Sequence, residues 1–204
     1  MKALIVGGGS RFGEEFTKLA KQDYEVHVIT GSNYSDADRV IKVDWHFVEL
    51  DDILPKIDKE YDLILFNQNG GGSPNGDSYS KETQNIWHWN RGFFNNVQLP
   101  YYILRHCELK KGNKVAWMLT PIMTMKMRHW AREWGGYAAD KTYSAHIMKS
   151  FAYENEASFY GFVPKSYGDM LDLFAETIYN LIRELKPERS GELITETGET
   201  FTWR

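Results

Sequence analysis

The chain is predicted to fold as α/β, a doubly wound and mostly parallel sheet flanked by helices, in a single domain over residues 1–204. Three observations predict this. Strand-like apolar runs alternate with helix-period patterns along the whole chain, the mark of repeated βαβ units. The first strand run breaks into a glycine-rich turn and leaves it as a helix. No linker, repeat or low-complexity tract divides the chain, whose 204 residues fill one α/β core and are too few for two ordinary domains.

The elements follow in order. Strands are expected at 2–7, 25–30, 61–66, 114–119 and 158–163, with a shorter one over Val40-Ile41-Lys42-Val43. Gly191-Glu192-Leu193-Ile194-Thr195 is expected as a final edge strand, closed by a turn at Thr197-Gly198-Glu199. Helical patterns cover roughly 12–22, 46–58, 80–108, 137–155 and 168–186. One loop stands out by composition, Asn69-Gly70-Gly71-Gly72-Ser73-Pro74-Asn75-Gly76-Asp77. It follows a central strand at its carboxyl end, where open α/β sheets bind ligands.

Composition narrows the function. A formal charge of −4, a pI near 5.9 and the lack of a basic stripe argue against a nucleic-acid surface. One cysteine, Cys107, allows no internal disulfide and fits a reducing compartment. The six histidines show no metal-ligand spacing, so no metal site is expected. Ser144 and Ser150 lie in no G-x-S-x-G elbow, which leaves hydrolase chemistry without support. The N-terminus opens on a strand rather than a secretory leader, and no apolar run nears the ~20 residues a membrane span needs. The expectation is a soluble, cytoplasmic protein without membrane contact.

Two motifs carry chemistry. In Ala3-Leu4-Ile5-Val6-Gly7-Gly8-Gly9-Ser10-Arg11-Phe12-Gly13 an apolar strand enters a glycine cluster, and Phe12, Phe16 and Leu19 continue at helical spacing. Glycines let a backbone approach a ligand closely, and a helix N-terminus offers N–H groups to a pyrophosphate. This is a Rossmann-type nucleotide turn, although Phe12 stands where the last glycine of G-x-G-x-x-G would fall when counted from Gly7. The second motif is Tyr137-Ala138-Ala139-Asp140-Lys141. Four residues apart on a helix, Tyr137 and Lys141 share one face. A phenol of pKa near ~10 is a poor acid at neutral pH, and a nearby ammonium favours its phenolate and makes it a usable acid/base.

Together these segments resemble the short-chain dehydrogenase/reductase family over nearly the whole chain. Gly7 and Gly13 match the first and last glycines of its T-G-x-x-x-G-x-G turn, with Val6 in place of the Thr and Arg11 in place of the middle glycine. Phe66-Asn67-Gln68-Asn69-Gly70 is similar to its N-N-A-G segment. Trp89, seven residues before Asn96-Val97-Gln98-Leu99-Pro100, is similar to the helix bearing its catalytic Asn. Val115-Ala116-Trp117-Met118-Leu119-Thr120 resembles the strand ending in its catalytic Ser.

The resemblance implies roles. Tyr137 would be the acid/base, Lys141 would tune it and hold the nicotinamide ribose, Thr120 would bond the substrate oxygen, and Asn96 would complete a proton relay. Asn90 and Asn95 compete with Asn96, which is preferred because Trp89 and Pro100 fix the register. Thr124 lies nearer the family's usual spacing to the Tyr, while Thr120 ends the apolar strand. Cofactor contacts would come from Gly7, Gly9, Ser10, Arg11, Phe12, Gly13, Ser32, Asp44, Asn67, Asn69, Gly70 and Lys141. No acid follows the second strand, Asp36 and Asp38 coming later in a loop. Ser32 with Arg11 suits a 2′-phosphate, so NADP is preferred and NAD remains possible.

The function expected is an NADP(H)-dependent oxidoreductase interconverting a small-molecule carbonyl and alcohol. The rivals are a dinucleotide-binding protein without turnover and, less well supported, a sugar-nucleotide epimerase relative. The Met- and Trp-rich stretch 123–134 would wall the pocket, and the brief segment Lys165–Asp169 leaves no room for a large lid. In the family, the helices corresponding to 80–108 and 137–155 pair across a two-fold axis. Trp87, Phe93, Phe94, Leu99, Tyr101, Tyr102 and Leu104 crowd the first, so a homodimer or homotetramer is expected.

Overall fold

Strands β1 (Lys2–Val6), β2 (Glu25–Thr30), β3 (Arg39–Lys42), β4 (Leu63–Phe66), β5 (Lys114–Met118), β6 (Ser158–Phe162) and β7 (Leu193–Ile194) form one sheet in the order β3-β2-β1-β4-β5-β6-β7. Every pairing between them is parallel. The computed structural model describes residues 1–31, 36–68, 86–120, 128–164 and 171–202, with backbone alone at 86–89, 128–135 and 171–172. Parallel strands need crossover connections, and helices fill that role: α1 (Arg11–Ala20), α2 (Leu50–Ile53), α3 (Ile86–Phe93), α4 (Leu99–His106), α5 (Arg128–Glu154) and α6 (Leu171–Glu184).

The strand sequences explain the layers. β1 is apolar at successive positions, so its two faces bury different sets. Ala3 and Ile5 join Phe12, Phe16 and Ala20 of α1 and Ala175, Ile178 and Ile182 of α6. Leu4 and Val6 join Leu99, Ile103 and Leu104 of α4 and Ala145, Met148 and Phe151 of α5. Each fully buried Val, Leu, Ile, Phe or Met among them contributes about 1.5–3 kcal/mol, and each alanine less. Register then aligns the strand ends: Val6 pairs with Phe66 and Phe66 with Trp117. Gly7, Asn67 and Met118 therefore leave the sheet side by side.

Three elements differ from expectation. The helix expected over 46–58 is reduced to Leu50–Ile53 and a 3₁₀ turn, Leu54–Lys56. Glu49 and Asp52 form a capping box that sets the start, and Pro55, lacking an N–H, stops the α-helical ladder. The helix expected over 80–108 is described from Ile86 and is interrupted by a π turn, Phe94–Gln98. The helix expected from 137 begins at Arg128 and runs through Gly135-Gly136, a pair whose low helix propensity reads as a break. The strand expectations agree to within a residue or two, and Thr197-Gly198-Glu199 turns back so that Thr200 bridges Ile194.

Candidate active site

The turn after β1 is built around its glycines. Gly7 has φ +84°, a left-handed conformation that favours glycine, and a Cβ there would lie 2.7 Å from the Gln68 nitrogen. A Cβ on Gly13 would lie 2.7 Å from the Gly8 Cα, so α1 can pack this closely only without a side chain at 13. Ser10 caps α1, its Oγ accepting the Gly13 N–H at 3.0 Å. Asn67, at the end of β4, donates through Nδ2 to the Ser10 Oγ at 2.7 Å and to the Gly7 carbonyl at 3.2 Å. The N-N-A-G-like segment thus holds the glycine turn in shape. Arg11 is exposed at the first position of α1, while the Phe12 ring turns into the core against Phe16 and Phe174. What Phe12 can offer a ligand is its backbone.

Helix α5 brings Tyr137 and Lys141 to the same edge. Lys141 is completely buried, and its Nζ donates to the Gln68 carbonyl at 3.0 Å and to the Met118 carbonyl at 3.2 Å, joining the ends of β4 and β5. The same Nζ lies 5.5 Å from the centre of the half-buried Tyr137 ring. Burial pushes the ammonium's pKa down to about 7, partly opposed by the charge of Asp140. Thr120 is buried two residues beyond β5, after Leu119, whose N–H donates to the Phe162 carbonyl.

The π turn places the three asparagines in different surroundings. Asn90 is exposed, whereas Asn95 and Asn96 are both buried. Pro100 has no N–H to donate to the Asn96 carbonyl four residues back. That carbonyl accepts instead from the Ser144 Oγ, one turn beyond Lys141's neighbour Asp140, at 2.7 Å. The Asn96 Nδ2 reaches the buried Asp140 Oδ2 at 3.5 Å. Asn95 faces elsewhere: its Nδ2 donates to the Trp45 carbonyl at 3.1 Å, and its own carbonyl accepts from the Gln68 Nε2 at 3.0 Å. Sequence reasoning missed Asp140 and Ser144 as site residues. The signals were a carboxylate beside the lysine and a proline four residues after the asparagine.

Gly9 is part-exposed in the turn, and Asp44, exposed after β3, accepts the His46 N–H at 2.9 Å. Asp38 caps β2 by accepting the Val26 N–H, which commits it to the sheet edge. Ser32, Asn69, Gly70, Thr124 and segment 165–169 lie outside the described residues, as do the side chains of the Met/Trp stretch. Tyr137 and Lys141 on α5, Asn96 in the π turn and Thr120 after β5 come from three parts of the chain, and Lys141 reaches the ends of β4 and β5.

A dinucleotide fits these residues in two respects. The turn leads into the N-terminus of a ten-residue helix, with Ser10 and Arg11 exposed. Among the described residues, the buried Gln68 Oε1 and Asn95 Oδ1 have no hydrogen-bond partner, and such acceptors suit a ligand's hydroxyl or amino donors.

No protein-family model matches the chain, and no curated protein is similar to it in sequence. Solved structures are similar in fold. A short-chain dehydrogenase/reductase from Brucella ovis superposes with a TM-score of 0.75 at 18% identity, over 96% of this chain and 99% of that one. A carbonyl reductase from Pseudomonas aeruginosa in complex with NADP gives 0.74 at 13% identity, over the whole of both chains. The carbonyl reductase Sniffer of D. melanogaster gives 0.72 at 14% identity, over 99% of each. The fold is that of the short-chain dehydrogenases/reductases.

Proposed function

We propose that the protein is an NADP(H)-dependent oxidoreductase of the short-chain type that interconverts a small carbonyl compound and its alcohol. The observation that carries this reading is the meeting of Tyr137 and Lys141 at the carboxyl edge of the sheet, with Lys141 joined to the ends of β4 and β5. Bound NADP(H) supplies or takes the hydride. The protein's own groups handle the proton and the positioning. Tyr137 donates its phenolic proton to the carbonyl oxygen in reduction and takes it back in oxidation. Lys141 as an ammonium favours the phenolate, Thr120 bonds the substrate oxygen, and Asn96 extends the proton path through water.

Gly7, Gly9, Ser10, Arg11, Gly13 and the Phe12 backbone cradle the pyrophosphate side, with Ser32, Asp44, Asn67, Asn69 and Gly70 along the rest of the cofactor. Arg11 and the absence of an acid at the end of β2 favour NADP over NAD, and the similar P. aeruginosa reductase was solved with NADP. No helix among the described residues is long and apolar enough to cross a membrane, and the reading is of a cytoplasmic protein. Exposed Tyr102 on α4 and Tyr143 on α5 fit a homodimer or homotetramer, which light scattering at micromolar concentration tests.

The test of function is Tyr137→Phe assayed with NADPH and a panel of aldehydes and ketones. Turnover should fall roughly 10²–10⁴-fold while NADPH affinity stays within a few fold. Near wild-type turnover would remove Tyr137 as the acid. A second reading, a dinucleotide-binding protein without turnover, is favoured by Arg11 in the turn and by the backbone carbonyls that hold the Lys141 amine. NADPH binding with no consumption across the panel would support it.

A further inference from the structure

We propose that Asn95 is a positioning residue for the adenosine half of the cofactor, acting through Trp45, while its neighbour Asn96 serves the reaction. The proposal rests on the dinucleotide reading given above and assigns one end of that site. In an open α/β sheet the phosphates lie on the turn after the first strand, and the adenosine ribose lies beyond the end of the second. Here β2 ends at Thr30, and Gly31 follows. The edge of the half-buried Trp45 indole stands over that glycine. A Cβ on Gly31 would lie 2.8 Å from the Trp45 Cδ1 and 3.0 Å from its Nε1. The ring therefore borders the place where the second strand ends, and it keeps that place only while residue 31 has no side chain.

Trp45 belongs to the loop 43–49 between β3 and α2, whose backbone groups must find partners outside the sheet. The helix around the π turn supplies them. The Asn95 Nδ2 donates to the Trp45 carbonyl at 3.1 Å. One turn earlier on α3, the Arg91 Nη1 donates to the Val48 carbonyl at 2.8 Å, and its Nη2 pairs with the Glu49 carboxylate at 2.9 Å. The Asn95 carbonyl also accepts from the Gln68 Nε2 at 3.0 Å. Asn95 is thus a crosspiece between the loop after β3 and the end of β4, strands that lie on opposite sides of β1. It is buried, and its Oδ1 has no partner among the described residues, so the bond to Trp45 is what its side chain contributes there. Asn96, the next residue, turns to α5 instead.

The test sets adenosine 2′,5′-bisphosphate, which carries the adenosine half alone, beside NADPH. In calorimetric titration Asn95→Ala should weaken both by the same factor, about tenfold, the worth of one buried hydrogen bond. KM for NADPH should rise to match, with kcat at saturating NADPH unchanged. Asn96→Ala should do the reverse, lowering kcat and leaving the affinity for the adenosine probe as it is. If Asn95→Ala fails to fold, Arg91→Met, which releases the far end of the same loop, takes its place with a loss of about threefold. Unchanged affinity for the adenosine probe overturns the proposal, as does a loss confined to NADPH or a fall in kcat with both affinities kept. Weakened probe binding in a chain that turns over no carbonyl upholds the proposal and counts against the oxidoreductase reading alone. A wild type that binds neither molecule overturns the proposal together with the dinucleotide reading.

Discussion

The two ends of the sheet handle buried polar groups in opposite ways. At the amino end His27 and Tyr61 are buried, and every bond closes. The Tyr61 hydroxyl accepts the Asp58 N–H at 3.0 Å, which leaves its own proton for the His27 Nδ1 at 3.0 Å. The His27 Nε2 then carries the ring proton toward Glu25 at 3.0 Å, and Asp58 in turn pairs with Lys2 and Arg39. At the carboxyl end a fully buried lysine is held by backbone carbonyls, a carboxylate sits beside it, and the Gln68 Oε1 and Asn95 Oδ1 lack partners among the described residues. A network satisfied within the chain serves the fold. One left short of donors and carrying a suppressed charge is the arrangement expected of a functional site.

If that contrast is right, the two ends should respond oppositely to substitution. The largest effect is expected for Lys141→Met, with activity down at least roughly 10²-fold but the fold more stable at neutral pH. The sign follows from proton counting. Between about 7 and the ordinary value of 10.5 the unfolded chain binds a proton at Lys141 that the folded chain does not. Stability therefore rises with pH across that window, and the penalty is fully present below it. Thermal melts of wild type should show this rise and those of Lys141→Met should lack it, with a gain on the order of a few kcal/mol near neutral pH. A variant less stable than wild type at pH about 6 would break the comparison.

At the amino end, Tyr61→Phe leaves the Asp58 N–H and the His27 ring nitrogen without their partner. It should cost about 1–3 kcal/mol in denaturant unfolding while kcat stays unchanged. A smaller effect sharpens the reading of the turn. Arg11→Ala should weaken NADPH about tenfold in calorimetric titration, near 1.4 kcal/mol, and leave NADH almost untouched. Equal losses for both would give Arg11 a role other than the 2′-phosphate. The smallest response belongs to neither end. The exposed Lys18–Glu15 pair on α1 is 2.6 Å long, yet Lys18→Ala should change stability by less than about 0.5 kcal/mol.

Much of the fold was legible because its signals are local. The central strand runs, residues 3–6, 63–66 and 115–118, are continuously apolar, as doubly covered parallel strands tend to be, and Gly7 and Gly13 stand where a Cβ would strike backbone. Tyr137 and Lys141 could be paired because helical spacing alone puts them together. What stayed hidden depends on partners distant in sequence. Nothing near residue 68 announces that its carbonyl takes the Lys141 amine, 73 positions away. The Phe12 ring could be assigned to the core only once α6 placed Phe174 against it. Asp140 was in plain view within the motif, but its meaning depends on burial and on Asn96, 44 residues earlier.

The π turn between α3 and α4 works as a phase shifter. It inserts one residue into a continuous helical path, and each residue of an α-helix is worth about 100° of rotation. The apolar stripe of α4, with Leu99, Ile103 and Leu104 in the core, is thereby set out of step with the face that α3 presents. One rod can then keep its lower half in the core while its upper half turns polar residues toward the sheet's edge, Asn95 to Trp45 and Asn96 to Asp140. Deleting a single residue within 94–98 would restore the regular winding and rotate everything upstream by that angle, so the asparagines and the core cannot both be kept without the extra residue.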